Sequence, residues 1–458
     1  MRLVSNTELL QEVADLEDVP ANSPNGELTT SLHILMVGDY YPPGGGGAAR
    51  DTRVLCRELV ERGHRVTVAA AWRPGFPSKS EEDGVTIYRI KDVSAYLPGA
   101  ASDPQRRHHP PLPDPLSVWK LRTIVKKVRP DVVHSYGWIT YSCAVALLGT
   151  DIPLMVSVRE YGHGCAVRSL MYRSRQGETI CDGPAAAKCL GCASRTYGSV
   201  PKAVVSVGGV FAGRVLLRRR VNALHSISTY VREVTRRDVL NRRSGAASRR
   251  GHRIIEDLIP CFRTTEHPEE SDDAVFERLP SQPFILFVGA LRRVKGLDNL
   301  LSAYRCLDSP PPLVLMGAHY VDTPGEFPAG VTVFSEVSHG AVMAAWERAL
   351  FGVAPSVWPE PQGNVVHEGM SKGRPIIGTM PGGMTDMIVD GQSGLLVPSN
   401  DVQALMAAMR RLIDDPELRT RLGRAALQRS ELFTNTEMMP RFLTLYHRLA
   451  GLRQGVHH

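Results

Sequence analysis

Short apolar runs closed by glycine alternate with stretches of helical spacing along most of the chain. The first run, His33-Ile34-Leu35-Met36-Val37-Gly38, has no polar alternation, as expected for a strand buried on both faces. A glycine-rich loop follows. Ala48 to Arg62 then places Val54, Leu55, Leu59 and Val60 on one helix face, with Gly63 where a helix-ending glycine belongs. Arg65 to Ala71 reads as the next strand. A strand-loop-helix-strand unit predicts a parallel sheet. Leu121 to Val128 continues it as a helix, and Asp131 to His134 and Leu154 to Val158 as strands. Pro98 to Pro115, with Arg106, Arg107, His108 and His109, reads as a long surface loop, first as solvated surface and second as an acceptor lid. Val221 to Leu240 reads as a basic helix, and the polar stretch from Thr264 to Pro283 as a linker.

The same opening recurs at Phe284-Ile285-Leu286-Phe287-Val288-Gly289. Leu313 to Gly317, Ala354 to Val357, Ile376 to Thr379 and Leu395 to Val397 supply further short strands, and Val402 to Ile413 and Glu417 to Arg429 supply helices. The predicted fold class is therefore α/β, with two doubly wound domains facing each other across a cleft. Residues 31–275 form the first, with a Cys-rich insertion near 160–197, and 282–430 the second. Residues 1–30 read as a disordered tail, and 431–458 as a helix returning to the N-terminal domain.

Composition narrows the partners. The net charge of +7 suits anionic ligands such as nucleotide phosphates or anionic lipid. Aromatic residues are sparse at 6% and do not interleave with the basic runs, so nucleic acid is not the expected partner. Met1 to Ser31 has no apolar centre and does not read as a signal peptide. Ala203 to Leu217 is too short, too Gly-rich and too closely followed by Arg218, Arg219 and Arg220 to read as a membrane span, and is expected buried. The basic stretch from Arg214 to Arg237 reads first as a solvated helix face and second as a peripheral contact for anionic lipid. Eight cysteines do not make a disulfide scaffold in so long a chain, so the expected address is the cytoplasm, including the inner membrane surface. Cys165, Cys181, Cys189 and Cys192 fall in the Gly-rich insertion. A Cys-x-x-Cys pair with two upstream thiols suits structural zinc, and reduced thiols are the equal alternative.

Two loops carry the chemistry. Pro42-Pro43-Gly44-Gly45-Gly46-Gly47 lies between a strand and a helix, where glycines let the backbone approach an anion. Its spacing is not that of a dinucleotide site. The string Pro359-Glu360-Pro361-Gln362-Gly363-Asn364-Val365-Val366-His367-Glu368 cannot be one continuous helix. It predicts Glu360 on a loop and a helix capped by Asn364 that carries Glu368 in its first turns. Ionised carboxylates only accept hydrogen bonds, so this pair is suited to gripping hydroxyls.

This string resembles the retaining GT-B-fold glycosyltransferases of family four, whose two glutamates share the spacing of Glu360 and Glu368. The resemblance extends to Gly289-Ala290-Leu291-Arg292-Arg293-Val294-Lys295-Gly296, to Pro381-Gly382-Gly383-Met384-Thr385-Asp386 and to Asp390-Gly391-Gln392-Ser393-Gly394. It implies two Rossmann-like domains and transfer of a hexose or N-acetylhexosamine from a nucleotide diphosphate sugar (UDP favoured, GDP possible) to a hydroxyl, with retention. It implies that Glu368 holds ribose and that Glu360 contacts the transferred sugar. The amides of Gly363, Asn364 and Val365 would bind oxygens, Lys295 would neutralise the leaving diphosphate, and Gly45, Gly46 and Gly47 would approach it from the other domain. No catalytic metal is expected. The acceptor, whether glycan, lipid-linked or small metabolite, stays open. The family often has Arg where this chain has Ala290, so either Arg292 or Arg293 substitutes or one phosphate contact is missing. Its His-x-His pair reads His134-Ser135-Tyr136, which puts Tyr136 beside the sugar, and its His-Asp pair reads Arg159-Glu160. A non-catalytic nucleotide-sugar-binding protein and a nucleotide-sugar epimerase are the alternatives.

Overall fold

The computed structural model describes residues 30–42, 46–96, 109–241, 254–263, 277–335 and 337–454. The expected tail and most of the expected linker lie outside them. The N-terminal half begins with β1 (His33–Gly38), α1 (Gly46–Glu61), β2 (Arg65–Ala71), β3 (Lys79–Glu82) and β4 (Val85–Ile90). It continues through α2 (Pro115–Val128), β5 (Val132–Tyr136), α3 (Ile139–Ala146) and β6 (Leu154–Val158). The insertion is a hairpin, β7 (Met171–Arg173) and β8 (Glu178–Ile180), followed by α4 (Ala186–Tyr197) and α5 (Val200–Arg220). After them come β9 (Ala223–Ser226), α6 (Thr229–Asp238) and β10 (Ile255–Leu258).

The sheet order is β10-β9-β6-β5-β1-β2-β4-β3, parallel except for the β3–β4 edge. Leu35, Val133 and Val156 face one core and Ile34, Val132 and Met155 the other, so each strand buries both faces. Polar N-caps start several of the helices. Asp114 accepts from the Ser117 amide at 2.8 Å ahead of Pro115, and Ser228 caps α6 through the Val231 amide at 3.2 Å.

The C-terminal half holds β11 (Phe284–Val288), α7 (Leu297–Arg305), β12 (Leu313–Met316), β13 (Val331–Phe334), α8 (His339–Arg348) and β14 (Ala349–Ala354). It is completed by α9 (Asn364–Ser371), β15 (Ile376–Met380), α10 (Met384–Met387), β16 (Gly394–Pro398), α11 (Val402–Asp414) and α12 (Pro416–Ser430). The sheet order β13-β12-β11-β14-β15-β16 is parallel throughout and is the dinucleotide-fold order.

The last helix, α13 (Asn435–Gln454), leaves this half and buries Met439, Phe442, Tyr446 and Leu449 against the second core of the N-terminal sheet. Its first residue, Asn435, donates to Glu58 at 2.9 Å, and the Tyr446 hydroxyl meets His134 at 2.7 Å. The chain thus crosses between halves twice. The crossings pair with each other: the Arg263 amide donates to the Phe433 carbonyl at 3.1 Å, and the Asn435 amide to the Arg263 carbonyl at 3.0 Å.

Three expectations need correction. Val221 to Leu240 is a strand and a shorter helix, because Ala223 to Ser226 extends the sheet beside β6. The fourth strand of the second sheet ends at Ala354, so Pro355 to Val357 belong to the loop. His109 is buried and hydrogen-bonded to Ser117 at 3.2 Å, whereas Arg106, Arg107 and His108 lie outside the described residues. The insertion forms a hairpin and a helix, with Met171 and Cys192 buried and the adjacent Leu170 and Ala193 in the N-terminal core.

Candidate active site

Parallel sheets bind ligands beyond their carboxyl ends, where strand order reverses. Those points are β1/β5 in one sheet and β11/β14 in the other. The loops leaving the four strands, with the starts of α1 and α9, line a cavity of ≈ 510 Å³, the size of a small-molecule site.

Glu360 stands on the loop after β14. One carboxylate oxygen accepts from the Lys295 ammonium at 2.7 Å, the Ser356 hydroxyl at 2.9 Å and the Trp358 indole N–H at 2.9 Å. The Lys295 loop is tied to this one, because the Val357 amide donates to the Val294 carbonyl at 3.0 Å. Gly296, at φ 77°, closes the Lys295 turn directly against the Pro355 carbonyl, where a Cβ would collide. On the far side, the Tyr161 hydroxyl reaches across the cleft to the Pro359 carbonyl at 2.6 Å, and Gln362 exchanges two hydrogen bonds with the Cys261 backbone, at 2.7 and 3.2 Å.

Glu368 is one turn into α9. It accepts from Arg50 at 3.0 Å and from His339 at 3.1 Å. Burial works to raise its pKa, but the His339 hydrogen bond and the Arg50 charge outweigh burial and hold it below the usual carboxylate value. The α9 cap differs from the sequence expectation. Gly363, at φ 94°, is the N-cap, and Asn364 instead donates across the cleft to Asp51 at 2.9 Å. Gly47 faces that same amide, so two helix starts with their unpaired N–H groups look into one cavity.

Of the residues singled out beforehand, Gly46, Gly47, Tyr136, Lys295, Glu360, Gly363, Asn364, Val365 and Glu368 line the cavity, while Gly45 lies outside the described residues. Arg292 and Arg293 do not line it. Arg292 pairs with Asp322 at 2.9 Å and stacks on Tyr320, and Arg293 pairs with Asp298 at 3.0 Å. The wall opposite Ala290 carries Arg50 and Arg159 instead. Tyr136 is present but committed: its hydroxyl donates to the Tyr40 carbonyl, its ring lies under Arg159, and burial pushes its pKa up to about 12. It forms a wall rather than a proton donor.

Sequence reading missed Arg50, Asp51, Asp39, His163, Arg168 and His339. Arg50 and Asp51 had a signal, since they occupy the first turn after a glycine loop. The others had none, being brought in by tertiary folding. Asp39 caps α3 through the Trp138 and Ile139 amides at 3.1 and 2.9 Å and pairs with Arg168, which also holds Glu160 at 3.1 Å. Burial raises the Glu160 pKa against the pull of Arg168, and burial lowers that of His163 to about 3.

Cys165, Cys181 and Cys189 pack against the N-terminal core, and among the described residues no group of three or more His, Cys, Asp or Glu is placed to hold a metal ion. Cys189 and Cys192 lie on α4, where the Cys192 sulfur accepts from the Arg173 amide at 3.3 Å. Cys192 is buried. Burial pushes the Cys165 thiol up to about 12.

Comparison with known proteins agrees with the two-part layout. The family model for glycosyl transferases group 1 matches residues 269–429, and that for glycosyltransferase family 4 matches residues 45–178. A D-inositol 3-phosphate glycosyltransferase of Nocardioides sp. is 33% identical over 115 residues, covering 25% of each chain. The matched stretches of such curated relatives span from a quarter to under half of their length. Sucrose-phosphate synthase from Thermosynechococcus elongatus superposes with a TM-score of 0.67 at 19% identity, over 91% of this chain and 99% of that one. Anabaena HepE, solved with UDP, gives 0.61 at 13% identity over 91% and 100%. Two doubly wound sheets opposed at their switch points, with the Glu360 to Glu368 string and both family models in order, place this chain in glycosyltransferase family four, with the GT-B fold.

Proposed function

We propose that this protein transfers a hexose or N-acetylhexosamine from a nucleotide diphosphate sugar to an acceptor hydroxyl with retention of configuration. The observation that carries the reading is the pairing of both cleft carboxylates with cations, Glu360 with Lys295 and Glu368 with Arg50, in a cavity faced by two helix starts. A sugar diphosphate offers each group a better partner. Its hydroxyls donate to the glutamates, and its phosphates accept from Lys295 and from the amides at Gly363 to Val365. UDP is the favoured base carrier, because HepE structures hold UDP and UDP-glucose.

In the proposed step the sugar C1–O bond to the diphosphate breaks, and a new C1–O bond to the acceptor forms on the same face. The acceptor proton passes to the departing phosphate oxygen. Lys295 meets the charge that builds on the leaving group. The Glu360 carboxylate, held by three donors, fixes the sugar rather than attacking it. The test is incubation with UDP-, GDP- and dTDP-sugars, following released nucleoside diphosphate and the anomeric configuration of product by NMR. Turnover with an inverted product removes the retention, and tight binding without turnover across acceptors favours the binding-protein alternative.

A further inference from the structure

Helix α5 carries no charged residue from Ala203 to Gly213. Its inner face, with Ala203, Val207, Val210 and Leu217, is buried in the N-terminal core, while Val200, Val204, Val205 and Val215 are 59%, 53%, 52% and 44% exposed. A helix apolar all round is ordinarily buried all round, and this one is covered on one side only. By length and composition alone it is able to cross a membrane, but 44% of its apolar window is buried inside the protein, and Arg214 donates from within it to the Gly164 carbonyl at 2.7 Å. It is fixed in the fold and cannot leave to span.

The exposed stripe continues onto neighbouring elements. Gly209 of α5 abuts the Pro111 carbonyl in the segment leading to α2. Arg220, at the end of α5, donates to the Leu147 carbonyl at 3.1 Å, and Arg122 of α2 to the Ala146 carbonyl at 3.4 Å, so both helices meet at the loop that exposes Leu148. On α2, Leu116 and Trp119 are 36% and 58% exposed. The charge around this apolar strip is one-sided. None of α2, α3, α4 and α5 contains an Asp or Glu, and their Lys and Arg outnumber the whole chain's net charge of +7. Lys120, Lys126, Lys127, Lys202 and Arg219 are exposed.

We propose that this face, α5 and α2 with Leu148 between them, docks flat on an anionic lipid bilayer, with the valines and Trp119 entering the headgroup boundary and the lysines and arginines meeting lipid phosphates. Helices without acids are complementary to lipid phosphate, and the one acid in the Leu148 loop, Asp151, is paired with Arg453 at 3.1 Å. The face is not complementary to a second copy of itself, since like charges would face each other across a two-fold axis.

The test is sedimentation of the full chain with vesicles of phosphatidylglycerol and phosphatidylcholine, against phosphatidylcholine alone. The protein is expected to sediment with the anionic vesicles and to be released by high salt. Val204→Glu with Val205→Glu, and separately Lys126→Glu with Lys127→Glu, are expected to weaken binding about tenfold or more, with unchanged Tm and unchanged release of nucleoside diphosphate. All four positions are exposed, so folding is not at risk. Three outcomes overturn the proposal: no sedimentation of the wild type, equal sedimentation of the variants, or a dimer in light scattering that the valine variant dissolves.

Discussion

At the scale of single residues the site is a set of exchanged partners. Lys295 and Arg50 hold the acids that the donor is proposed to claim, so removing a cation and removing an acid should read differently. Glu360→Gln keeps the shape but weakens acceptance from Lys295. It is expected to lower kcat about a hundredfold or more with little change in Tm, checked by nucleoside diphosphate release and thermal melting. Glu368→Ala is expected to act mainly on donor KM, raising it about tenfold or more, because ribose contacts are uniform through the reaction. The buried imidazoles set a pH response. His134 and His225 sandwich the Ser157 hydroxyl at 2.5 and 2.6 Å, and burial lowers the His225 pKa to about 3. An unfolded His titrates near 6.5, so the folded value is depressed and the contribution is whole above about 6.5. As pH falls from there towards 3, the unfolded chain takes up the proton first, and stability drops. Melting curves should show Tm falling between about pH 7 and pH 5, and a Tm constant over that range would remove this assignment.

Among the elements, two tolerate little change. Gly296→Ala drives a Cβ into the Pro355 carbonyl and forces φ 77° on a residue that avoids it, so the loops carrying Lys295 and Glu360 must part. Loss of turnover greater than loss of Tm is expected. Phe442→Ala in α13 opens a hole between His225, Phe262 and Tyr446 and is expected to cost about 3–5 kcal/mol, read as a lower denaturant midpoint at unchanged slope. Elements were also where the sequence was most readable. Runs such as Leu154 to Val158 and Phe284 to Val288 are apolar without alternation, and only a strand covered on both faces accommodates that. The errors arose where tertiary pairing overrode local character. Ala223 to Ser226 sits among basic helix-like residues yet joins β6, and Asn364, a good local cap, is drawn away by Asp51 on the opposite wall.

For the whole molecule, the twofold β-α alternation was legible because each half repeats the same grammar, and the Glu360 to Glu368 string because its spacing fits one loop and one helix turn. The N-terminal wall was not legible. Asp39 follows β1, whereas His163 and Arg168 share the loop after β6, and nothing in sequence distance says that the two segments meet. The even spread of cations and helix starts around the cleft leads to a further expectation: turnover persists in excess EDTA, measured as nucleoside diphosphate release. Loss of turnover that magnesium restores would move the leaving-group role away from Lys295.

Mechanical behaviour follows from the ribbon in which Arg263 pairs with Phe433 and Asn435. One connecting strand would act as a swivel, leaving each lobe free to turn in any direction. Two strands laced together side by side act as a door hinge, which swings about one line and resists torsion. Any swing of the jaws is therefore expected to keep them in register, returning Asn364 to Asp51 and Arg50 to Glu368.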